Sequence, residues 1–406
     1  MKKVNLSFLL VLFVFFAGAQ IDSVNNSQII EDVSYLSSDR LEGREVGTKG
    51  ERLAASYIRK RFQSIGIEPK GASGYFQSFS TSIKNNPHSN VSTKKIKGIN
   101  VVGYLDNNQK ETIIFGAHYD HLGYGSHGSL HAGEKEVHNG ADDNASGVAM
   151  LLNLAERLKD FPFYNYLFIA FSGEEYGLFG SSYYAKNPTI DLSEVRFMLN
   201  FDMIGRLNQN NDLAINGVGT SQKWDDLLKT SNIFNFKLKT SESGIGPSDH
   251  TSFYLQDIPS LHFFTGQHED YHKPTDDVDK INFEGMSVVS DYIMSIIQNS
   301  SFIEDFDFQE TASESQNTPK FSVTLGVMPD YMYDGIGFRI DGVTKGKTAF
   351  KHNIVKGDIV VKMGEIEVID MTSYMKALGQ YESGDSCNVS IKRGDELIVI
   401  ENLIFD

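Results

Sequence analysis

The chain has 406 residues, of which 40% are hydrophobic and 22% charged, and a formal net charge of −16 at pH 7. This is the make-up of an ordinary globular protein with room for two or three domains. The acidic balance excludes nucleic acid and anionic lipid as electrostatically favoured partners, and the single cysteine, Cys387, excludes an intrachain disulfide and a thiolate metal site.

Residues 1–19 read as an export signal. Lys2 and Lys3 open it, an apolar run covers 9–16, and Ala17-Gly18-Ala19 makes a small-residue cleavage site. The run is short for a membrane span, so the expectation is an exported protein, periplasmic or secreted, with no span after cleavage. Residues 41–50 form a polar, glycine-rich approach to a helix. Beyond Glu51 the positions Leu53, Ala54, Tyr57, Ile58, Phe62 and Ile65 share one helical face, and Gly66 ends it.

Short apolar runs at 99–105, 112–117, 166–171, 195–201 and 258–264 predict strands, and 148–158 and 286–297 predict helices. Strands alternating with helices predict an α/β fold with a mostly parallel mixed sheet and helices on both faces. Residues 301–320 are rich in Asp, Glu, Ser, Thr and Gln and read as a linker. A compact β-rich unit over 321–406 follows, with one short helix near 373–378.

The segment 139–147, Asn-Gly-Ala-Asp-Asp-Asn-Ala-Ser-Gly, is too polar and small for core. It predicts a tight loop that presents a carboxylate at a helix entrance, with Ser146 as the helix cap. His118, Asp120, the pair Glu174-Glu175, Asp202 and His272 each follow or end an apolar run. In open α/β sheets such positions meet at the carboxyl ends of the strands. Two imidazoles, three carboxylates and a spare Glu suit two zinc ions sharing one Asp and a water. His121, His127, His131 and His138 fall in a glycine-rich segment and read as a solvated loop on the rim. Arg206 reads as the partner of a nearby acid.

Five motifs now stand in order: His-x-Asp at 118, Gly-Ala-Asp-Asp-Asn-Ala-Ser-Gly at 140, Gly-Glu-Glu at 173, Asn-Phe-Asp-Met-Ile-Gly at 200 and Tyr-His-x-x-x-Asp at 271. The set resembles the di-zinc aminopeptidases of metallopeptidase clan MH, which include bacterial leucyl aminopeptidases and glutamate carboxypeptidases. The resemblance covers roughly 28–300, and the peptidase domain is expected over 20–300 with the zinc exopeptidase-like fold. It implies Asp143 as the bridge between two Zn2+ ions, with a cis bond to Asn144. It implies Glu175 and His272 on one ion, His118 and Asp202 on the other, and Asp120 orienting His118. Glu174 would be the general base for peptide hydrolysis, and Tyr271 a donor to the developing oxyanion. Ser248-Asp249-His250 matches a further family motif with a supporting role.

The tail resembles a PDZ domain in Tyr333-Asp334-Gly335-Ile336-Gly337-Phe338-Arg339-Ile340 and in Val355-Lys356-Gly357-Asp358-Ile359-Val360. That implies a loop of Gly335, Ile336, Gly337 and Phe338 receiving a peptide C-terminus, with an added strand beside the next segment. Residues 350–354 depart from the usual Ala-Gly-Leu pattern. The reading reached is an exported zinc aminopeptidase acting on peptides. The alternatives are a glutaminyl cyclase of the same fold and a non-catalytic peptide-binding protein working through the tail.

Overall fold

The computed structural model describes residues 26–84, 93–125, 127–131, 133–311, 323–330, 333, 335–343 and 346–405. The expected export signal lies outside them, as do residues 312–320 of the expected linker. No helix among the described residues is long and apolar enough to cross a membrane.

The strands of the first domain are β1 (Glu68–Pro69), β2 (Phe76–Lys84), β3 (Thr93–Leu105), β4 (Thr112–His118), β5 (Asn165–Phe171), β6 (Val195–Phe201), β7 (Asp212–Asn216), β8 (Lys237–Ser241) and β9 (Ser260–Phe264). They form one sheet in the order β1-β3-β5-β4-β6-β9-β7-β8, with β2 also paired to β3. The central strands β5, β4, β6 and β9 run parallel, while β3 and β7 join them antiparallel. The sheet is the mixed one expected, parallel where the motifs lie.

Helices α1 (Asn26–Leu36), α2 (Lys49–Ile65), α3 (Gly147–Arg157), α5 (Trp224–Ser231) and α7 (Phe283–Ser300) cover one face; α4 (Phe179–Lys186) and α6 (His250–Tyr254) cover the other. The alternation of a strand explains both cores. In β5, Tyr166, Phe168 and Ala170 point into the larger core, and Leu167, Ile169 and Phe171 into the smaller one. Both sets are apolar, which is why the strand reads as an unbroken hydrophobic run. Helix α2 starts where Thr48 accepts the Glu51 N–H and stops at Gly66, whose left-handed φ of 91° closes the last turn.

Two expectations need correction. Ser146 does not cap α3: its hydroxyl donates to the Asp142 carbonyl (2.7 Å) and accepts the Ile204 N–H (3.0 Å). Asn144 Oδ1 accepts the Gly147 N–H instead (2.9 Å). Nor is the stretch after Ser300 a linker up to residue 311. The Phe306 ring packs 4.9 Å from Phe197 and 4.5 Å from Trp224. Arg196, 4% exposed, donates to the Ser300 and Ile303 carbonyls, and Thr311 pairs with the Tyr254 hydroxyl at 3.0 Å. Three scattered aromatics in an acidic stretch were the legible sign of this. A chain ending at Thr311 should therefore melt higher than one ending at Ser300. Losing the Phe306 contacts costs on the order of a few kcal/mol, which is roughly 5–10 °C in a domain of this size. Equal melting temperatures in a thermal scan of the two would show that the segment contributes nothing.

The tail is a separate sheet of β10 (Val327–Pro329), β11 (Phe338–Val343), β12 (Ile359–Met363), β13 (Ile366–Glu367), β14 (Ser386–Arg393) and β15 (Glu396–Ile404), with α8 (Thr348–Lys351) and α9 (Met371–Leu378). Its own core includes Leu325, Val360, Ile391 and Leu403, with Cys387 partly buried against it.

Candidate metal centre

The parallel strands deliver the motif residues to one edge. His118 is the last residue of β4, Glu174 and Glu175 follow β5, Asp202 follows β6, and His272 lies eight residues beyond the end of β9. Asp143 comes from the loop before α3, and the Asp143–Asn144 bond is cis.

The spacing of the ligand atoms is informative. One Asp143 oxygen, Oδ1, stands 3.3 Å from His118 Nε2, which is 3.3 Å from Asp202 Oδ1. The other, Oδ2, stands 3.2 Å from His272 Nε2, which is 3.2 Å from Glu175 Oε2. Two atoms bound about 2.0 Å from one tetrahedral zinc lie about 3.3 Å apart. Each of these four contacts has the length expected between two ligands of one zinc, and Asp143 takes part on both sides. The donor set, imidazole and carboxylate only, is one zinc accepts.

Supporting contacts fix these side chains. His118 Nδ1 lies 3.2 Å from the Asp120 main-chain oxygen and 3.8 Å from its carboxylate. The orienting contact is thus made mainly by the backbone, while Asp120 Oδ1 accepts the Glu174 N–H at 3.1 Å. Asp120 spaces His118 against Glu174. Ser248 donates to Asp202 Oδ2 (2.8 Å) and is itself held by Asn200 (2.8 Å). Asp276 Oδ2 accepts the main-chain N–H groups of Asp142 (2.9 Å) and Asp143 (3.0 Å). Arg206 pairs with Asp270 and Asp276, as its sequence context suggested. Tyr271 stacks on the His272 ring at 3.9 Å and lines the same cavity as the ligands.

Three residues escaped the sequence reading, His121, His138 and Arg44. His121 is not on a solvated rim; it is fully buried, with Nδ1 2.7 Å from Glu175 Oε1 and 3.9 Å from Asp143 Oδ2. A separation of 2.7 Å is a hydrogen bond and too short for two ligands on one zinc, so His121 orients Glu175 rather than joining it. His138, also buried, pairs with Ser129 at 2.7 Å. The third is Arg44, fully buried, which donates to the carbonyls of Tyr119 (2.8 Å), Asn139 (2.6 Å) and Gly140 (3.0 Å). It clamps the His118 loop to the Asp143 loop. Burial pulls its pKa down to about 10, with Asp143 and Asp120 opposing, so it stays charged.

Among the protein groups themselves the balance is acidic. Burial opposes ionisation of Asp143, but His121, His118 and His272 hold its carboxyl well below the ordinary range. Burial likewise pushes Glu175 up, yet His272 and His121 hold it at about 2. Burial, with Glu175, Asp249 and Asp202 nearby, drives Glu174 well above the usual carboxyl value, against the pull of His118. Dications answer this excess of carboxylate.

If zinc binds on both sides of Asp143, replacing His121 by Phe should weaken it at the Glu175–His272 position by about 10–100-fold, the usual size for an orienting partner, and spare the His118–Asp202 position. A two-site zinc titration reads this, and equal loss at both positions would mean that His121 acts on the fold rather than on Glu175.

A buried imidazole–carboxylate cluster shared across one Asp, at the carboxyl edge of a parallel sheet, defines a metallopeptidase-type site. Residues 100–297 match the model of Peptidase family M28, and residues 315–401 match the PDZ domain. The first domain belongs to Peptidase family M28, and the tail is a PDZ domain. Aminopeptidase YwaD of Bacillus subtilis is 26% identical over 246 residues, covering 57% of this chain and 50% of that protein. The chain thus aligns with half the length of that relative. Among solved structures, the aminopeptidase from Aneurinibacillus sp. strain AM-1 has a TM-score of 0.54 at 18% identity, covering 73% of this chain and 98% of that one. The Bacteroides thetaiotaomicron glutaminyl cyclase bound to N-acetylhistamine has a TM-score of 0.54 at 19% identity, covering 69% of this chain and 99% of that one. Both share the fold.

In the tail, one N–H of the expected carboxylate loop is already engaged. The Gly337 N–H donates to the Ile369 carbonyl at 2.8 Å. Ile336 is exposed, and Phe338 is buried in a stack with Tyr374 of α9 at 3.8 Å. The edge of β11 meant for an added strand carries β10, and the Asp330 N–H donates to the Arg339 carbonyl.

Proposed function

We propose that this chain is an exported zinc-dependent exopeptidase, an aminopeptidase that removes N-terminal residues from peptides. The observation that carries the reading is Asp143, with one oxygen 3.3 Å from His118 and the other 3.2 Å from His272, each imidazole completed by its own second carboxylate. The residues that would hold two zinc ions are His118 and Asp202 on one side and Glu175 and His272 on the other, with Asp143 shared. The chemistry such zinc supplies is acidification of a water and polarisation of the scissile carbonyl. Glu174 lines the same cavity and takes the proton of the attacking water, then hands it to the leaving amine. Tyr271, at the cavity wall, donates to the oxygen on which negative charge grows. Asp120 keeps Glu174 and His118 apart and in register. The Lys2-Lys3 start and the small-residue cleavage site support export.

The glutaminyl cyclase reading draws on the same fold. The Gly337 N–H held by Ile369 and the β10 strand on β11 favour chemistry in the first domain over a tail that works alone. The deciding experiment is zinc analysis combined with product analysis on a peptide panel. Two zinc ions per chain and release of free N-terminal amino acids support the aminopeptidase. Conversion of N-terminal Gln to a pyroglutamyl peptide with loss of ammonia supports the cyclase. Zinc without turnover on any peptide would sink both.

A further inference from the structure

The cavity that holds the ligands has a second wall, formed by Met203, Asn216, Pro247, His262, Phe264 and Gln267. Antiparallel β7 and β9 build much of it, with Asn216 opposite His262 and Ala214 opposite Phe264. The two-residue period puts His262 and Phe264 on one face.

Met203, Pro247 and Phe264 make half of this wall apolar, and Asn216, His262 and Gln267 make the other half polar. His262 is 3% exposed. Its Nδ1 lies 3.2 Å from Asn216 Nδ2 and accepts that amide hydrogen, which leaves the ring proton on Nε2. Nε2 is buried and has no hydrogen-bond partner. Stacking on His250 at 5.0 Å and on Phe264 at 6.0 Å fixes the ring plane. Burial, the largest influence, lowers the imidazole to about 4, so it is neutral at ordinary pH and offers one N–H. A buried donor of this kind calls for an acceptor. Among the described residues no Lys or Arg lines the wall, so a carboxylate side chain would enter without a counter-ion beside the acidic ligand set.

We propose, building on the aminopeptidase reading, that this wall is the side-chain pocket and selects N-terminal residues with an uncharged hydrogen-bond acceptor, the side-chain amides of Gln and Asn, through His262 Nε2–H. An apolar occupant leaves the donor unpaired, which is worth about 10–100-fold in selectivity.

The test uses the zinc-loaded full chain and dipeptides X-Ala with X as Gln, Asn, Leu, norleucine and Glu. The expected kcat/KM for Gln or Asn exceeds that for Leu, norleucine and Glu by about 10–100-fold. Calorimetry with free L-glutamine and L-leucine should give the same order without turnover. His262→Phe should bring the Gln/Leu ratio to about one or below while both zinc ions remain. Should that variant fail to retain zinc, Asn216→Leu, which frees the tautomer, should lower the same ratio. A preference for Leu in the unaltered enzyme, or a ratio unmoved in the zinc-retaining variant, overturns the proposal. Hydrolysis of no dipeptide overturns the aminopeptidase reading and the pocket with it. A pyroglutamyl product from Gln alone overturns hydrolysis while supporting the pocket.

Discussion

Glu174→Gln should keep both zinc ions, bind substrate nearly as before, and lose kcat by about 10²–10⁴-fold, the range for a positioned general base. Glu174 shares a loop with Glu175 but not its contacts. Glu175 meets His272 at 3.2 Å and His121 at 2.7 Å, whereas the Glu174 backbone is held by Asp120 and its side chain lines the cavity. The amide is isosteric, so geometry survives and only proton transfer is lost. Glu175→Gln should do the opposite: zinc affinity falls, and turnover falls only as zinc is lost. Zinc content and steady-state kinetics on the two variants decide the matter, and an exchange of the two behaviours would reverse the roles within the pair.

Asp143→Asn should abolish tight binding of both ions at once, by about 100-fold or more. Two dications about 3.5–4 Å apart repel strongly unless an anion touches both. Asp143 is the carboxylate with an oxygen toward each imidazole. A neutral amide offers a single oxygen and no charge. The fold should persist, because the main-chain N–H of residue 143 still donates to Asp276. If one ion stays bound at full affinity in an equilibrium titration, the carboxylate is not shared.

The strand-end residues of the cluster were readable because the sheet imposes a rule that sequence displays: an apolar run followed by a polar residue. His118, Glu175 and Asp202 obey it. The supporting groups do not. His121 looks like any histidine among glycines, and only the return of the chain after β5 brings Glu175 to it. Arg44 looks like a helix approach, because its acceptors are the carbonyls of residues 119, 139 and 140, far along the chain. Segment 301–311 was misjudged because composition reports average polarity. Phe306 and Phe308 were enough to anchor an acidic strip when Trp224 and Tyr254 waited for them. The tail's loop was legible as a motif, but the Ile369 carbonyl that takes the Gly337 N–H is encoded by no motif.

The Arg44 clamp bears on what counts as the smallest working unit. Every proposed metal ligand lies between residues 118 and 272, and the family match begins at residue 100. Such a fragment would carry all the ligands and lack the guanidinium that ties two of their loops together. It would also lack Glu51, which accepts from Ser172, Gly47 and Ile99 beside the Glu174 loop. Portability of this module, whether by gene fusion or by recombination, therefore stops just before Arg44 rather than at the motif block. The leading segment acts as a keystone set early in the chain, and the arch it locks is assembled from residues synthesised long after it.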